Sequence, residues 1–74
     1  MTNYELAEIL KKMYTESSSG EKVTMIHLFG IKYASEIRML NVPIKRIVEL
    51  ANMPKSYATE VSKGIKLAKY VVIK

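Results

Sequence analysis

The stretch that decides the fold is IKRIVELANMPKSYATEVSKG, residues 44–64. It contains two successive helical patterns. The second has Ala58 and Val61 on one side and lysines and hydroxyls on the other. The stretch therefore predicts two short helices joined by a tight turn. The first helix would turn inward Ile44, Ile47, Val48 and Ala51.

The basic charge of the chain is concentrated in the part that contains this stretch. The 74 residues carry a formal net charge of +5. Residues 1–44 contain five bases and five acids, whereas residues 45–74 contain seven bases and two acids. A one-sided basic field attracts polyanions, and phosphate contacts supply most non-specific affinity for nucleic acids. The charge distribution favours a nucleic-acid partner, and the alternative is a lysine-rich surface that meets only solvent.

Composition argues against several classes of site. There is no cysteine, so a disulfide framework or a cysteine zinc site is excluded, and a reducing, cytoplasmic setting is favoured. The single histidine, His27, has no acid at ligand spacing, so we expect a partly buried structural side chain and no metal. We find no phosphate loop, nucleophile elbow or acid pair, and predict neither an enzyme nor a cofactor. No apolar run approaches the ~20 residues of a membrane span, and the first residues lack a signal peptide's basic region.

Two further helices are predicted before this stretch. Residues 3–15 form the first, capped by Thr2 or Asn3. Residues 24–39 form the second, whose wide apolar band suggests the centre of the core. Gly30 lies inside that band, and we attribute it to a close helix crossing. The alternative for residues 22–24 is that they are extended and precede the second helix.

The third helix covers residues 43–51 and the fourth begins at Pro54, with both prolines in first turns. The fourth ends at Gly64, as a left-handed cap, or continues to residue 69. The β-branched residues 70–73 favour a short strand, paired with residues 23–24 or with a second subunit. The sequence therefore predicts one all-α domain, residues 1–74, with four helices and an optional C-terminal strand.

Residues 44–64 resemble the helix-turn-helix unit of DNA-binding proteins from bacteria and phages. The family favours a small residue inside the first helix, where this chain has Val48. It favours glycine at the turn because the backbone there is left-handed; this chain has Asn52, the next most tolerant residue type. The family's apolar positions are filled here by Met53, Ala58 and Val61.

The resemblance implies that the fourth helix lies in the major groove of double-stranded DNA. It implies base contacts by Lys55, Ser56, Thr59 and Glu60. It implies phosphate contacts by Lys45, Arg46, Tyr57, Lys63, Lys66 and Lys69. Two alternatives stay open: Glu60 pairs with Lys63 or Lys66 along the helix, and the Tyr57 ring seals the edge of the core.

These roles point to a small transcriptional regulator that binds specific DNA sequences. We expect a homodimer, because two half-sites discriminate better than one, with the first helix or residues 70–73 as its surface. The alternatives are a protein-interaction module on the same core and an accessory DNA-binding subunit of a restriction or mobile-element system.

Overall fold

The computed structural model describes residues 1–73, which form five α-helices and no strand. The helices are α1 (Asn3–Thr15), α2 (Lys22–Lys32), α3 (Ala34–Leu40), α4 (Ile44–Leu50) and α5 (Tyr57–Leu67). The all-α prediction is confirmed. One core joins the helices, and its fully buried side chains are Leu6, Leu10, Ile26, Phe29, Ile47, Val48 and Val61. No helix in the described residues is long and apolar enough to cross a bilayer.

Helix α1 has the predicted bounds because both of its ends are defined locally. The Thr2 hydroxyl accepts from the Glu5 N–H at 3.1 Å, and the Glu5 carboxylate accepts from the Thr2 N–H at 2.8 Å. This capping box satisfies two backbone donors that the helix leaves free. Its hydrogen bonds also lower the pKa of Glu5.

The predicted second helix, residues 24–39, is wrong in its start and in its continuity. Residues 22–24 are the first turn of α2, so they are not extended. The helix then breaks at Tyr33, which has φ −110° and ψ 18°, and α3 follows. Four predicted helices therefore become five in the described part of the chain. The apolar spacing continues through Phe29, Tyr33 and Ile37, and neither proline nor glycine marks the break, so periodicity could not reveal it.

The predicted close crossing at Gly30 is confirmed, and its partner is Gly64. A methyl carbon at Gly30 would lie 2.5 Å from the Val61 carbonyl oxygen and 3.0 Å from the Gly64 Cα. A methyl carbon at Gly64 would overlap the carbonyl oxygen of His27. Helices α2 and α5 therefore meet backbone to backbone, and they form the most extensive helix pair of the described fold.

Three predictions about the C-terminal part need correction. Helix α5 starts at Tyr57 rather than Pro54, since the preceding residues form i→i+3 turns in which the Tyr57 N–H donates to the Pro54 oxygen. It passes through Gly64 to Leu67, because that glycine serves a helix contact and not a cap, so the alternative of a continued helix is correct except that it ends two residues before residue 69. Residues 70–73 form no strand in this chain, because residues 23–24, a proposed partner, are helical; pairing with a second subunit stays a prediction. Residue 74 lies outside the described residues.

The third predicted helix is confirmed with small changes at its ends. Pro43 is the N-cap of α4, one position before the helix, and Ala51 is its C-cap. Pro43 has φ −58° and ψ 138°, so its backbone is extended and its fixed φ leads into the first turn. Asn41, with φ 53°, ends α3 in the left-handed region just before it.

We predict that Gly30→Ala destabilises the protein by about 1–3 kcal/mol, because the added methyl meets backbone atoms that cannot move aside. In a helix without this crossing, the same substitution would stabilise the protein by about 1 kcal/mol. The sign of the change in the free energy of unfolding therefore tests the crossing. Urea unfolding followed by circular dichroism measures the change.

Ser35→Ala, at an exposed position of α3, is the control and should alter stability by less than about 0.5 kcal/mol. A Gly30→Ala variant as stable as the native protein would refute the close crossing.

Candidate nucleic-acid interface

The turn between α4 and α5 is fixed by Asn52, whose φ is 59°. The left-handed prediction at this residue is confirmed. The Asn52 N–H donates to the Glu49 oxygen at 2.9 Å, and the Met53 N–H donates to the Val48 oxygen at 3.2 Å. These two bonds make a Schellman motif, which satisfies the last carbonyls of α4. Met53 is buried in the same core cluster as Val48, so the turn is held by packing as well.

The inner sides of α4 and α5 are held by apolar packing. Val48 and Val61 are fully buried, so the larger residue at the family's small position fits the core. Ala58 is half-buried and packs against the same cluster. With these residues inward, the opposite side of α5 faces solvent.

An open groove, here called the α4–α5 groove, runs between the start of α4 and the outer side of α5. Its lining side chains are Pro43, Ile44, Lys45, Ala58, Thr59, Ser62, Lys63 and Lys66. None of these eight is acidic, and three are lysines. The fold thus brings together four predicted DNA contacts from two helices, namely Lys45, Thr59, Lys63 and Lys66.

Lys55 and Ser56 do not line the groove and lie in the turn before α5. Both are exposed, and the Lys55 Nζ is 3.6 Å from a Glu49 carboxylate oxygen. Such an exposed pair contributes little and leaves the lysine available to another anion. Ser56 is the N-cap residue of α5, but its hydroxyl makes no capping hydrogen bond.

Three predicted phosphate contacts lie outside the groove lining, namely Arg46, Lys69 and Tyr57. Arg46 is exposed on the first turn of α4, next to Lys45. Lys69 is exposed in the turn that follows α5. Their contacts with DNA remain predictions.

Glu60 lies on α5 and faces α2. One carboxylate oxygen is 2.7 Å from His27 Nε2, and the other is 3.4 Å from Lys63 Nζ. The hydrogen bond from His27, aided by Lys63, lowers the pKa of Glu60. The predicted pairing with Lys63 is therefore present, together with an unpredicted one to His27. In residues 1–73 no group of three or more His, Cys, Asp or Glu side chains could hold a metal ion.

Tyr57 connects the first turn of α5 to α1. Its hydroxyl is 3.2 Å from the Tyr14 hydroxyl, and the two ring centroids are 5.5 Å apart. The hydrogen bond between the two hydroxyls raises the pKa of Tyr57. Lys22 covers the Tyr14 ring at 4.8 Å from its centroid. This packing matches the alternative that Tyr57 seals the core edge, and its contact with a phosphate remains a prediction.

Two residues of the site have no predicted role in DNA binding. Ser62 lines the groove three positions after Thr59, so helical spacing alone could have included it. The sequence predicts a structural role for His27 but not its partner, because 33 residues separate it from Glu60.

The match to a known family accords with this geometry. Residues 2–74 match the sequence model of a family described as the HTH-like domain. The chain belongs to this family. No curated protein and no solved structure matches the chain. An HTH-like domain indicates DNA binding in general.

We predict that Asn52→Ala destabilises the protein by about 1–2 kcal/mol, because alanine has a Cβ and no polar side chain to favour a left-handed backbone. Asn52→Gly is the matched comparison and should be at least as stable as the native protein, since glycine has no such penalty. Chemical unfolding of the three proteins compares them, and an alanine variant as stable as the glycine variant would contradict the turn geometry.

Proposed function

We propose that the protein binds specific sequences of double-stranded DNA with α5 in the major groove, as a small transcriptional regulator. The supporting observation is the α4–α5 groove, whose lining combines three lysines with the hydroxyls of Thr59 and Ser62. Lysines bind phosphates, which position the protein, and hydroxyls can read base edges. A bacterial or phage origin forms part of the proposal because of the helix-turn-helix resemblance, and a cytoplasmic location because a chain without cysteine suits a reducing compartment.

In this proposal, the N-terminal end of α5 contacts DNA bases, whereas α4 and the C-terminal part of α5 contact phosphates. Lys55, Ser56 and Thr59 lie at its N-terminal end, which enters the groove first in helix-turn-helix proteins. Lys45 and Arg46 are on α4, the helix that crosses the DNA backbone in this geometry. The phosphates that flank the major groove would contact the lysines in the later part of α5 and in the turn after it, namely Lys63, Lys66 and Lys69.

We also propose that the protein forms a homodimer through the segment that follows α5. Tyr70 and Val72 are 80% and 82% exposed, and such side chains favour burial against a partner. The outer side of α1, the other surface considered, carries the charged residues Glu5, Glu8 and Lys12. Two copies would place two recognition helices on one operator.

A protein-interaction module remains the second candidate, and the exposed Met39, Tyr70 and Val72 favour it. It predicts no affinity for DNA even at low salt. An accessory subunit of a restriction or mobile-element system would bind DNA by the same contacts and differ only in its biological context.

The first test is a fluorescence anisotropy titration with duplex DNA at several salt concentrations. Five to seven phosphate contacts predict a slope of about −4 to −6 for log affinity against log salt. Lys63→Ala should weaken binding and reduce the slope by about 0.9, because it removes one phosphate contact.

Lys12→Ala is the matched control, since Lys12 is an exposed lysine on α1, outside the groove. Equal effects of the two substitutions would argue against the α4–α5 groove as the interface. No binding at low salt would refute the DNA-binding proposal.

The dimer proposal is tested by sedimentation equilibrium. Val72→Ser should weaken self-association, because it removes apolar surface from the proposed contact. Tyr4→Ser, at an exposed position of α1, is the control and should leave association unchanged. A monomeric native protein, or greater sensitivity to Tyr4→Ser, would overturn this surface assignment.

A further inference from the structure

We propose that His27 is a positioning residue for DNA binding, which holds the Glu60 carboxylate on the α2 side of α5 and away from DNA phosphates. The inference rests on the proposed function and extends it to a residue outside the α4–α5 groove. It assigns Glu60 to this pair rather than to a base contact.

Glu60 brings a negative charge to a basic surface. It is the only acidic residue of α5, and it stands between the groove residues Thr59 and Lys63. A carboxylate this close to the predicted phosphate path would repel DNA. Its lowered pKa keeps it ionised at neutral pH, so the charge persists unless another group compensates it.

The structure provides such a group on the neighbouring helix. An ionised carboxylate can only accept hydrogen bonds, so His27 Nε2 donates to the Glu60 oxygen across 2.7 Å. The two side chains are 30% and 22% exposed, so the bond is partly shielded from water. Hydrogen bonds to a charged group are shorter and stronger than neutral ones.

The backbone of His27 is fixed by the same contact that brings α2 and α5 together. Its carbonyl oxygen lies against Gly64, one helical turn after Glu60 on α5. The imidazole therefore starts from a backbone that cannot follow Glu60 if that side chain turns outward. This geometry makes His27 an anchor for the carboxylate.

Loss of the anchor would affect the groove through Lys63. The second oxygen of Glu60 is 3.4 Å from Lys63 Nζ, and that lysine is 58% exposed. Without His27, both carboxylate oxygens become available to Lys63, and the carboxylate gains freedom to turn toward DNA. Glu60 would then compete with phosphate for the lysine.

The test compares the DNA affinity of the native protein with His27→Ala, Glu60→Gln and the double variant, on one duplex at low salt. We expect His27→Ala to weaken binding by about two- to five-fold, the range that exposed charge pairs produce. Glu60→Gln should bind at least as tightly as the native protein. The double variant should bind like Glu60→Gln, because His27 then has no charge to restrain.

A merely structural role for His27 predicts a different pattern, in which the double variant is as weak as His27→Ala or weaker. That result, or native affinity in His27→Ala, would overturn the inference while DNA binding stands. His27→Gln keeps a donor near Glu60 and should recover part of the lost affinity. Circular dichroism melting shows that each variant is folded.

A second readout needs no DNA. The pKa of Glu60, followed by carboxyl ¹³C NMR, should rise toward its ordinary value in His27→Ala, because the bond that chiefly lowers it is gone. An unchanged pKa would refute the anchor even if the protein binds DNA. A risen pKa in a protein without DNA affinity would confirm the anchor and refute the proposed function, and with it the positioning role.

Discussion

The close approach of α2 and α5 at Gly30 and Gly64 is the contact on which the rest of the structure depends. Glycine inside a helix costs about 0.5–1 kcal/mol relative to alanine, and this protein has one in each of the two helices. The absence of both Cβ atoms lets the backbones meet, so Phe29 and Val61 can be buried in one core. The crossing also sets which side of α5 faces inward, and therefore which side faces solvent.

The turn at Asn52 then places α4 beside α5, and the two constraints together define the basic groove. Helical periodicity shows which residues of α5 share a side, so Thr59, Lys63 and Lys66 were predictable as neighbours. The turn was predictable as well, because Asn52 stands where helix-turn-helix proteins have glycine, and asparagine tolerates a left-handed backbone. The pairs of Glu60 with His27 and Tyr57 with Tyr14 were not, since they span 33 and 43 residues of sequence.

The errors in the fold have a common physical cause, which is that local patterns do not specify tertiary partners. The break at Tyr33 leaves the apolar spacing unchanged, so the two helices were predicted as one. Gly64 has the residue type of a helix cap, but it serves a contact with α2. Residues 70–73 have strand propensity, yet propensity is weak without a strand to pair with.

The central claim is that the outer side of α5 and the start of α4 bind DNA, while α2 packs against the inner side of α5. Mapping amide chemical shifts in a titration with duplex DNA tests it most directly. The account predicts the largest shifts in residues 44–46 and 55–66 and small ones along the exposed side of α1. Shifts concentrated in α1 or in residues 67–73, with α5 unaffected, would contradict it.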